Sequence, residues 1–458
     1  MKRGLLLAFM VAIFMGNSVN GTGNNTCKTN IIYPRTENFT INSPKTYFVG
    51  NECPKCTLTV NGNEVAIHQS GGFKYPVNLE YGINKFVFDN GYEQKTYTIT
   101  RPSQTTSKPA QKIIKNYDNE IIITIKDDNT PLRSTPVDAG LNRLNHLSKD
   151  TELSAIGENN GFYKVKLGRD NIAYISKNNA VISENKILSQ ANILGITSTQ
   201  NKREYNLEIE LDKKIPYILA ENNGLDYILF NVSDNPYSKY EEHLGEKQKL
   251  FGYGSYYSGN TLIINMKKFP ELDFDKPLTG IRITIDPGHG GNETGTIGCT
   301  GVKEKDLNLQ IAQKLKERLE AEGAIVYMTR TDDSFVSLSD RVKISNNNDS
   351  DIFLSIHNNA LPDSLADHDG TGVETYYFYP QSKELAQKIA QGIHEQTGFK
   401  NGGARGQSFA VVRNTRSVAV LIEVGYMITP EDNAQLLDPD FQNKAVNGII
   451  KGLENYLR

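Results

Sequence analysis

The pattern of apolar residues changes at Ile281, and this change constrains the fold more than any other feature of the chain. Before it, short segments alternate apolar and polar residues, as at 205–211 and 261–265, which is typical of half-buried strands. After it, strand-like and helix-like segments alternate, which predicts a mostly parallel, twisted sheet. We therefore expect a multidomain protein with three small all-β domains followed by one α/β domain.

The length of the chain sets the number of domains. Its 458 residues are too many for one hydrophobic core, because domains usually contain about 100 to 200 residues. We predict β domains at 29–100, 119–183 and 184–279 and the α/β domain at 280–458. The segment 101–115 is polar and rich in Pro, Ser and Thr, so it cannot bury apolar area and is predicted to be a linker.

The first residues indicate the compartment. Lys2 and Arg3 precede a short apolar run at 4–15, and small or polar residues follow, so residues 1–21 have the layout of a secretory signal peptide. The run is shorter than the roughly 20 residues that a membrane-spanning helix needs. We expect a secreted protein with no stable membrane insertion after signal removal. The net charge of −3 is too small to attract nucleic acid, so none is expected as a partner.

The chain has four cysteines: Cys27, Cys53, Cys56 and Cys299. In an oxidising exterior a bridge among the first three is expected, while Cys299 stands alone. Cys53 and Cys56 could be half of a zinc ribbon, but a structural zinc site needs four ligands and no second pair exists. For these two, a disulfide or two free thiols is the preferred interpretation.

Candidate catalytic and metal-binding residues lie at the ends of predicted elements of the α/β domain. His289, within 286–291 (DPGHGG), follows the predicted strand 281–285, and His357 follows the predicted strand 351–356. Both therefore lie at the carboxyl edge of the sheet, where open α/β sheets bind ligands. Glu304 opens a predicted helix at 304–322. Glu423 lies in the apolar strand 418–424, where a carboxylate is costly to bury without a cation or hydrogen-bond partner.

Five further elements are predicted in the α/β domain, each from its apolar periodicity. They are strands at 324–328 and 373–379 and helices at 340–346, 382–397 and 440–457.

Several motifs in order resemble the type-3 N-acetylmuramoyl-L-alanine amidase family over essentially the whole α/β domain. The resemblance implies that His289, Glu304 and His357 bind one zinc ion and that Glu423 is the catalytic carboxylate. We also expect Asn359 and Arg405, which lie in matching motifs, to contact substrate. The matching segments are 286–291, 304–307, 329–332, Leu338 with Arg341, 355–360, 372–376 and 421–425.

The chemistry of these residues agrees with the resemblance. Two histidines and a carboxylate are a recurring catalytic zinc set with an open position for water, whose pKa zinc lowers to about 7. Glu423 would act as general base and acid. The family implies cleavage of the amide between N-acetylmuramic acid and L-alanine of peptidoglycan, in the periplasm or cell wall of a bacterium.

Each residue also has a structural alternative. The histidines could be capping or core residues, although their joint placement with Glu304 favours ligation. Glu304 could serve only the helix dipole, and Glu423 could pair with Arg405 or Arg413. For the whole chain, the alternatives are a zinc carboxypeptidase acting on the same stem peptides and a non-catalytic wall-binding protein with the amidase fold. The other five histidines, at 68, 146, 243, 368 and 394, are predicted to be surface or packing residues.

The β domains also resemble known modules. Residues 43–50 and 59–62 resemble immunoglobulin-like modules of bacterial surface proteins, and 119–182 resembles a bacterial Src-homology-3-like domain with Phe162 where relatives usually have Trp. Such domains often bind cell-wall peptide, and the alternative is a spacer. Residues 184–279 are similar to wall-targeting β domains.

Two departures from the amidase family concern the site's surroundings. Gln407 directly follows Arg405-Gly406, where relatives often have a longer segment, so we expect a trimmed loop; Val418 replaces a usual Pro. Some members block their zinc with an extra helix between the third ligand and the catalytic Glu. Predicted elements already fill that interval here, so we expect no blocking helix and no obligate protein activator, and any regulation from the N-terminal domains.

Overall fold

The computed structural model describes residues 27–103, 114–167, 171–183, 188–221, 224–230, 232, 239–244, 250–366 and 370–458. The predicted signal peptide and most of the predicted linker, 104–113, lie outside the described residues. Strand-rich units precede an α/β unit, in the predicted order. Across the part of the chain described, no helix combines the length and apolar character needed to cross a membrane.

The first unit contains a three-stranded sheet, in the order β1-β3-β6, and a five-stranded sheet, in the order β2-β8-β7-β4-β5. Aromatic and aliphatic side chains from both sheets, including Phe48, Phe88 and Ile99, form one core, as expected of a β-sandwich. The immunoglobulin-like assignment stays a prediction. The strands are β1 (Asn30–Tyr33), β2 (Asn38–Thr40), β3 (Lys45–Asn51), β4 (Thr59–Val60), β5 (Asn63–Glu64), β6 (Gly72–Asn78), β7 (Gly82–Asp89) and β8 (Gln94–Arg101).

One disulfide joins Cys27 to Cys56, whereas Cys53 and Cys299 are free thiols. The expected bridge among the first three cysteines and the unbridged Cys299 are thus both present. The bridge does not join Cys53 to Cys56. Because the Cys56 sulfur is already bonded, this pair is not half of a zinc ribbon.

The second unit is a seven-stranded antiparallel sheet in the order β11-β10-β14-β13-β12-β9-β15. It encloses apolar side chains such as Ile123, Val165 and Ile175. Its first strand begins before the predicted boundary at 119, and the Src-homology-3-like assignment stays a prediction. The strands are β9 (Ile114–Ile125), β10 (Thr130–Arg133), β11 (Arg143–Leu147), β12 (Glu152–Asn159), β13 (Phe162–Leu167), β14 (Asn171–Ser176) and β15 (Ala180–Ser183).

The third unit has two antiparallel sheets, in the orders β16-β17-β22-β21 and β18-β19-β20. Leu207, Tyr227 and Leu262 belong to their shared core. The strands are β16 (Ile193–Gln200), β17 (Glu204–Leu211), β18 (Tyr217–Glu221), β19 (Leu225–Phe230), β20 (Lys239–Leu244), β21 (Tyr253–Ser258) and β22 (Thr261–Lys267).

The α/β unit is built on a six-stranded sheet in the order β24-β23-β25-β28-β26-β27, in which every pair is parallel except β26 with β28. The predicted mostly parallel sheet is therefore present. Its strands are β23 (Arg282–Pro287), β24 (Ile325–Met328), β25 (Ile352–Asn359), β26 (Val373–Tyr377), β27 (Asn401–Gly406) and β28 (Val418–Tyr426). Its helices are α1 (Glu304–Ala321), α2 (Leu338–Asn347), α3 (Lys383–Thr397), α4 (Ala410–Asn414), α5 (Pro430–Leu436) and α6 (Pro439–Leu457).

All the elements that we predicted in this unit form, with ends shifted by a few residues. Three elements were missed: β27, α4 and α5. β27 has the sequence NGGARG, which has no apolar alternation, and it forms because β26 offers it a parallel partner at the edge of the sheet. α4 and α5 are too short to show a helical period.

The core of the α/β unit lies on the central strands. Leu307, Ile311, Leu315 and Leu319 of α1 are fully buried against them, as their four-residue spacing predicts. The helices α3 and α6 pack very closely against each other because both have glycines at their contact. A side chain at Gly392 would come within 2.2 Å of a backbone carbonyl of α6.

Polar contacts connect the N-terminal units to the α/β unit. Arg203 of the third unit donates to Asp351 at 2.6 Å, just before β25. The hydroxyls of Tyr33 and Thr46 in the first unit donate to the carboxylate of Asp363 at 2.9 and 2.6 Å. Asp363 opens a single 3₁₀ turn, Asp363–Leu365, shortly after β25 ends. The first unit therefore contacts the loop that follows the strand carrying His357.

Candidate active site

His289, Glu304 and His357 meet at the carboxyl edge of the sheet. His289 follows the last residue of β23, His357 lies near the end of β25, and Glu304 is the first residue of α1. β23 and β25 are neighbouring parallel strands, so their carboxyl ends lie side by side. The sequence correctly predicted this edge as the meeting point.

The three side chains are close enough to share one ion. Nε2 of His289 lies 3.2 Å, and Nδ1 of His357 2.9 Å, from the same oxygen of Glu304, Oε1. The two imidazole rings are 5.0 Å apart and nearly perpendicular. One donor atom from each residue falls within 4.8 Å of the others. Two imidazoles and a carboxylate are a donor set that suits zinc.

Glycines make room for these side chains. A Cβ on Gly288 would lie 2.2 Å from the His357 ring, and one on Gly295 would lie 2.4 Å from the Glu304 carboxylate. His289 itself has φ of +62°, a left-handed conformation that costs a non-glycine residue about 1–3 kcal/mol. The backbone is thus held in an unfavourable conformation to direct this imidazole toward Glu304.

The Glu304 carboxylate is fixed from several sides. The backbone N–H of Thr296 donates to Oε2 at 2.9 Å, and Asn308, one helical turn further along α1, donates to Oε1 at 3.3 Å. The N–H of Asn358 also donates to Oε1. Burial raises the pKa of this carboxyl group, but hydrogen bonding with the two histidines outweighs it and lowers the pKa below its usual range. Glu304 is therefore an ionised, oriented donor.

Two buried arginines support the loop that carries His289. Arg341 donates to the carbonyl oxygens of Pro287 and His289, at 2.7 and 2.8 Å, and pairs with Asp286. Arg330 donates to the carbonyl oxygens of Pro287 and Gly288, at 3.0 and 2.9 Å. The motifs containing these arginines were noticed in the sequence, but their role in holding the loop was not.

Glu423 lies on β28 in register with His357 on the adjacent β25. Its Oε2 is buried and has no hydrogen-bond partner among the described residues. Burial raises the pKa of this carboxyl group well above its usual value, and the nearby carboxylates of Glu304 and Glu374 raise it further. A buried acid beside two others is stabilised by a cation or by protonation, and the cation expected from the sequence stays a prediction.

Asn359 and Arg405 both contact Glu374, which lies directly across from Glu423 in the antiparallel pair of β26 and β28. Asn359 donates to Oε2 of Glu374 at 3.3 Å, and Arg405 pairs with Oε1 at 2.6 Å. The hydroxyl of Tyr376 donates to Oε2 at 2.6 Å. We name Asn359, Glu374, Tyr376 and Arg405 the Glu374 cluster. Glu374 had no role in the sequence prediction, although it lies in a motif that was noticed.

The structural alternatives for Glu423 are wrong. Arg405 pairs with Glu374, and Arg413 donates to the backbone and side chain of Ser408, so neither arginine neutralises Glu423. Among the other histidines, Nδ1 of His394 lies 2.6 Å from the carbonyl oxygen of Phe399, as expected of a packing residue. His368 lies outside the described residues.

The fold and the donor set together define a class. This is an open α/β domain with a candidate catalytic metal centre at the carboxyl edge of its sheet. It has three converging donors, an adjacent carboxylate with one oxygen that has no partner among the described residues, and a polar cluster beside them.

Comparison with known proteins identifies the domain. Residues 283–455 match the family described as N-acetylmuramoyl-L-alanine amidase, and this domain belongs to that family. The chain is 40% identical over 182 residues to the probable cell wall amidase LytH of Staphylococcus epidermidis, and 38% identical over 183 residues to LytH of Staphylococcus aureus. Each match covers 39% of this chain and 60% of the relative, so the chain spans about 60% of the length of these curated relatives.

Among solved structures, an N-acetylmuramoyl-L-alanine amidase from Clostridium difficile 630 is 38% identical, with a TM-score of 0.38. That match covers 39% of this chain and 97% of the other. The family match lies in the C-terminal part of the chain.

Proposed function

We propose that this protein is a zinc-dependent N-acetylmuramoyl-L-alanine amidase that hydrolyses the amide between N-acetylmuramic acid and L-alanine in peptidoglycan. The proposal depends chiefly on one observation: His289, Glu304 and His357 converge on a shared point, with the unpartnered Glu423 carboxylate on the adjacent strand. The family to which residues 283–455 belong supports the same reaction.

The residues fit a zinc ion. The donor set is of the right chemical type, and the Glu423 oxygen without a hydrogen-bond partner is the kind of group that a nearby cation stabilises. His289, Glu304 and His357 would hold the ion. When bound, zinc would lower the pKa of a water molecule to about 7 and polarise the scissile carbonyl group.

The protein's own groups would then manage the proton. Glu423 accepts the proton of the attacking water as the new C–O bond forms, and delivers it to the amide nitrogen as the C–N bond breaks. Thr296, Asn308 and Asn358 keep Glu304 oriented during the reaction.

The Glu374 cluster supports a role in binding the stem peptide. Asn359 and Arg405 lie on opposite sides of Glu374, whose strand β26 runs beside the catalytic β28. Arg405 is 57% exposed, so its guanidinium can reach a ligand in solvent while it pairs with Glu374. We propose that Asn359 and Arg405 contact substrate.

Replacing Arg405 with methionine should mainly weaken substrate binding. The substitution removes the exposed charge but keeps the aliphatic part of the side chain, and the buried Glu374 carboxylate still accepts hydrogen bonds from Asn359 and Tyr376. We expect KM to rise by roughly tenfold with kcat changed by less than about threefold, which corresponds to one charged hydrogen bond. Steady-state assays on dye-labelled peptidoglycan measure both. An unchanged KM would remove Arg405 from the substrate site.

We also propose that the protein acts outside the cytoplasm, in the periplasm or cell wall of a bacterium. The disulfide between Cys27 and Cys56 supports this, since such bonds persist in oxidising compartments.

Peptidoglycan is the proposed partner, and we still expect no blocking helix and no obligate activator. In the described part of the interval between His357 and Glu423, the helices longer than one turn are α3 and α4.

Metal removal combined with product analysis tests the reaction. The full-length protein is incubated with purified peptidoglycan, with zinc or with a chelator, and soluble products are identified by mass spectrometry. We expect free stem peptides with a new L-alanine amino terminus and peptide-free glycan. Chelation should abolish both products, and added zinc should restore them.

His357→Ala and His394→Ala form a matched pair for this test. Only the first removes a proposed ligand, so only the first should lose zinc and activity. Release of single amino acids would identify a carboxypeptidase instead. A zinc-loaded protein that binds peptidoglycan without releasing any product would be a non-catalytic wall-binding protein.

A further inference from the structure

A cavity of about 550 Å³ lies where the second, third and α/β units meet, apart from the metal centre. Arg143 and His146 of β11 line it from the second unit, and Tyr217 and Tyr253 line it from the third. The α/β unit contributes, among others, Lys343, Arg413, Thr415 and Arg416. We name this space the basic cavity. Its volume falls in the range of about 300–1,000 Å³ typical of ligand sites.

The charged side chains that line the basic cavity are all basic among the described residues. No aspartate or glutamate is among the described residues that line it. Three acids contact residues in or near the lining: Asp340 pairs with the lining Lys343, the buried Glu221 accepts a hydrogen bond from the lining Tyr253, and the mostly exposed Asp138 pairs with Arg133. Arg143 and Arg413 thus face the cavity without a carboxylate from the described lining.

Several lining groups lack hydrogen-bond partners among the described residues. The Nε atoms of Arg143 and Arg413 are buried and unpartnered, as are Nε2 of His146 and Oγ1 of Thr415. Arg413 and Thr415 are themselves buried residues. Buried polar groups are nearly always satisfied in folded proteins, and these four are groups that a polar ligand in the cavity could satisfy.

Mutual repulsion among these cations agrees with this interpretation. Burial, followed by the charges of Arg413, Arg143 and Arg133, lowers the pKa of His146 to about 4. Burial and the charge of Arg143 lower the pKa of Arg413 to about 10. An anion in the cavity would reverse the electrostatic part of both shifts.

We propose that the basic cavity binds an oxyanion, the carboxylate or phosphate group of a ligand, held by Arg143 and Arg413. Guanidinium groups are the side chains best suited to pair with such groups. The tyrosines of the third unit would contact the organic part of the ligand. Because Arg143 and Arg413 belong to different units, the bound anion would hold the second unit against the α/β unit.

Calorimetric titration of the full-length protein tests the site. The probes are inorganic phosphate and glutarate, a small dicarboxylate, at an ionic strength kept constant with sodium chloride. We expect saturable binding of at least one probe, weakened roughly tenfold or more in Arg143→Gln and in Arg413→Gln, which corresponds to loss of one hydrogen bond to a charged group. The probe with the lower Kd distinguishes a phosphate ligand from a carboxylate ligand.

Arg318→Gln, on the exposed face of α1, is the matched control and should bind as the unmodified protein does. Arg143 is half-buried, so Arg143→Gln keeps the test valid if Arg413→Gln fails to fold. Thr415→Val removes an unpartnered hydroxyl with little change in shape and should also weaken binding. Absence of binding beyond that of chloride would overturn the proposal. Equal affinity in Arg143→Gln and Arg318→Gln would also overturn it, and this is the result expected if the probes bind at the metal centre instead.

Discussion

Glu423→Gln is expected to lower kcat by about 10²- to 10⁴-fold while leaving zinc bound, because a general base and acid contributes about that much. The amide has nearly the same shape as the carboxylate but cannot accept a proton. Glu423 is not one of the three converging donors, so zinc content should stay at one per protein. Metal analysis and single-turnover assays on labelled peptidoglycan measure the two quantities on one preparation.

The same substitution should stabilise the metal-free protein. Oε2 of Glu423 is buried, has no hydrogen-bond partner within the described part of the chain and lies near the carboxylates of Glu304 and Glu374, so its charge opposes folding when no cation is present. Glu221→Gln is the control, since Glu221 is another glutamate whose burial raises its pKa, to about 7, and it belongs to β18 of the third unit. The Glu221→Gln variant should leave kcat unchanged. A kcat within about threefold of the unmodified protein in zinc-loaded Glu423→Gln would exclude the general-base role.

The convergence of His289, Glu304 and His357 could be predicted from sequence, because parallel strands bring their carboxyl ends to one edge. Once 281–285 and 351–356 were identified as parallel strands, His289 and His357 were expected at the same edge of the sheet, and the structure shows that the two strands are neighbours. Glu304 was predicted as the first residue of a helix, and in the structure it begins α1. Asn308 could also have been found, because a residue four positions after Glu304 on a helix lies beside it.

The Glu374 cluster could not be predicted, because it depends on how the last strands are ordered. β26 is inserted between β28 and β27 and runs antiparallel to β28, which brings Glu374 opposite Glu423. No local pattern specifies that order, and β27 has no strand signal of its own. The sequence therefore left Arg405 as a possible partner of Glu423, whereas the sheet places it on Glu374.

The basic cavity also could not be predicted from the sequence. Arg143 and Arg413 lie in different units, and each arginine taken alone resembles an ordinary surface charge. Only the packing of three units shows that neither has a carboxylate in the cavity. Bulk charge gave no hint, since the net charge is only −3.

Arg341→Met is expected to destabilise the sheet edge by about 3–5 kcal/mol, because it leaves the Asp286 charge buried without its partner. Asp286 is 0% exposed and Arg341 3% exposed, and they pair at 2.7 Å. Thr329 and Ser355 also donate to Asp286, at 2.6 and 2.7 Å, and these bonds stay in the variant. The loss should therefore be severe but local. The local loss of stability is measured by hydrogen exchange and mass spectrometry on peptides covering β23 and α2 in the full-length protein. This method suits the chain because it has no tryptophan whose fluorescence could report unfolding.

The same variant should weaken zinc binding by about 10- to 100-fold, the usual effect of removing a group that orients a metal ligand. Arg341 donates to the carbonyl oxygen of His289, whose left-handed backbone depends on such support. The double variant Asp286→Asn with Arg341→Met separates the two effects. Neutralising Asp286 should recover much of the lost stability, since no charge is then left unpaired, but zinc affinity should stay low because the bond to His289 is still absent. Recovery of zinc affinity together with stability would mean that Arg341 acts only through the fold and does not position His289.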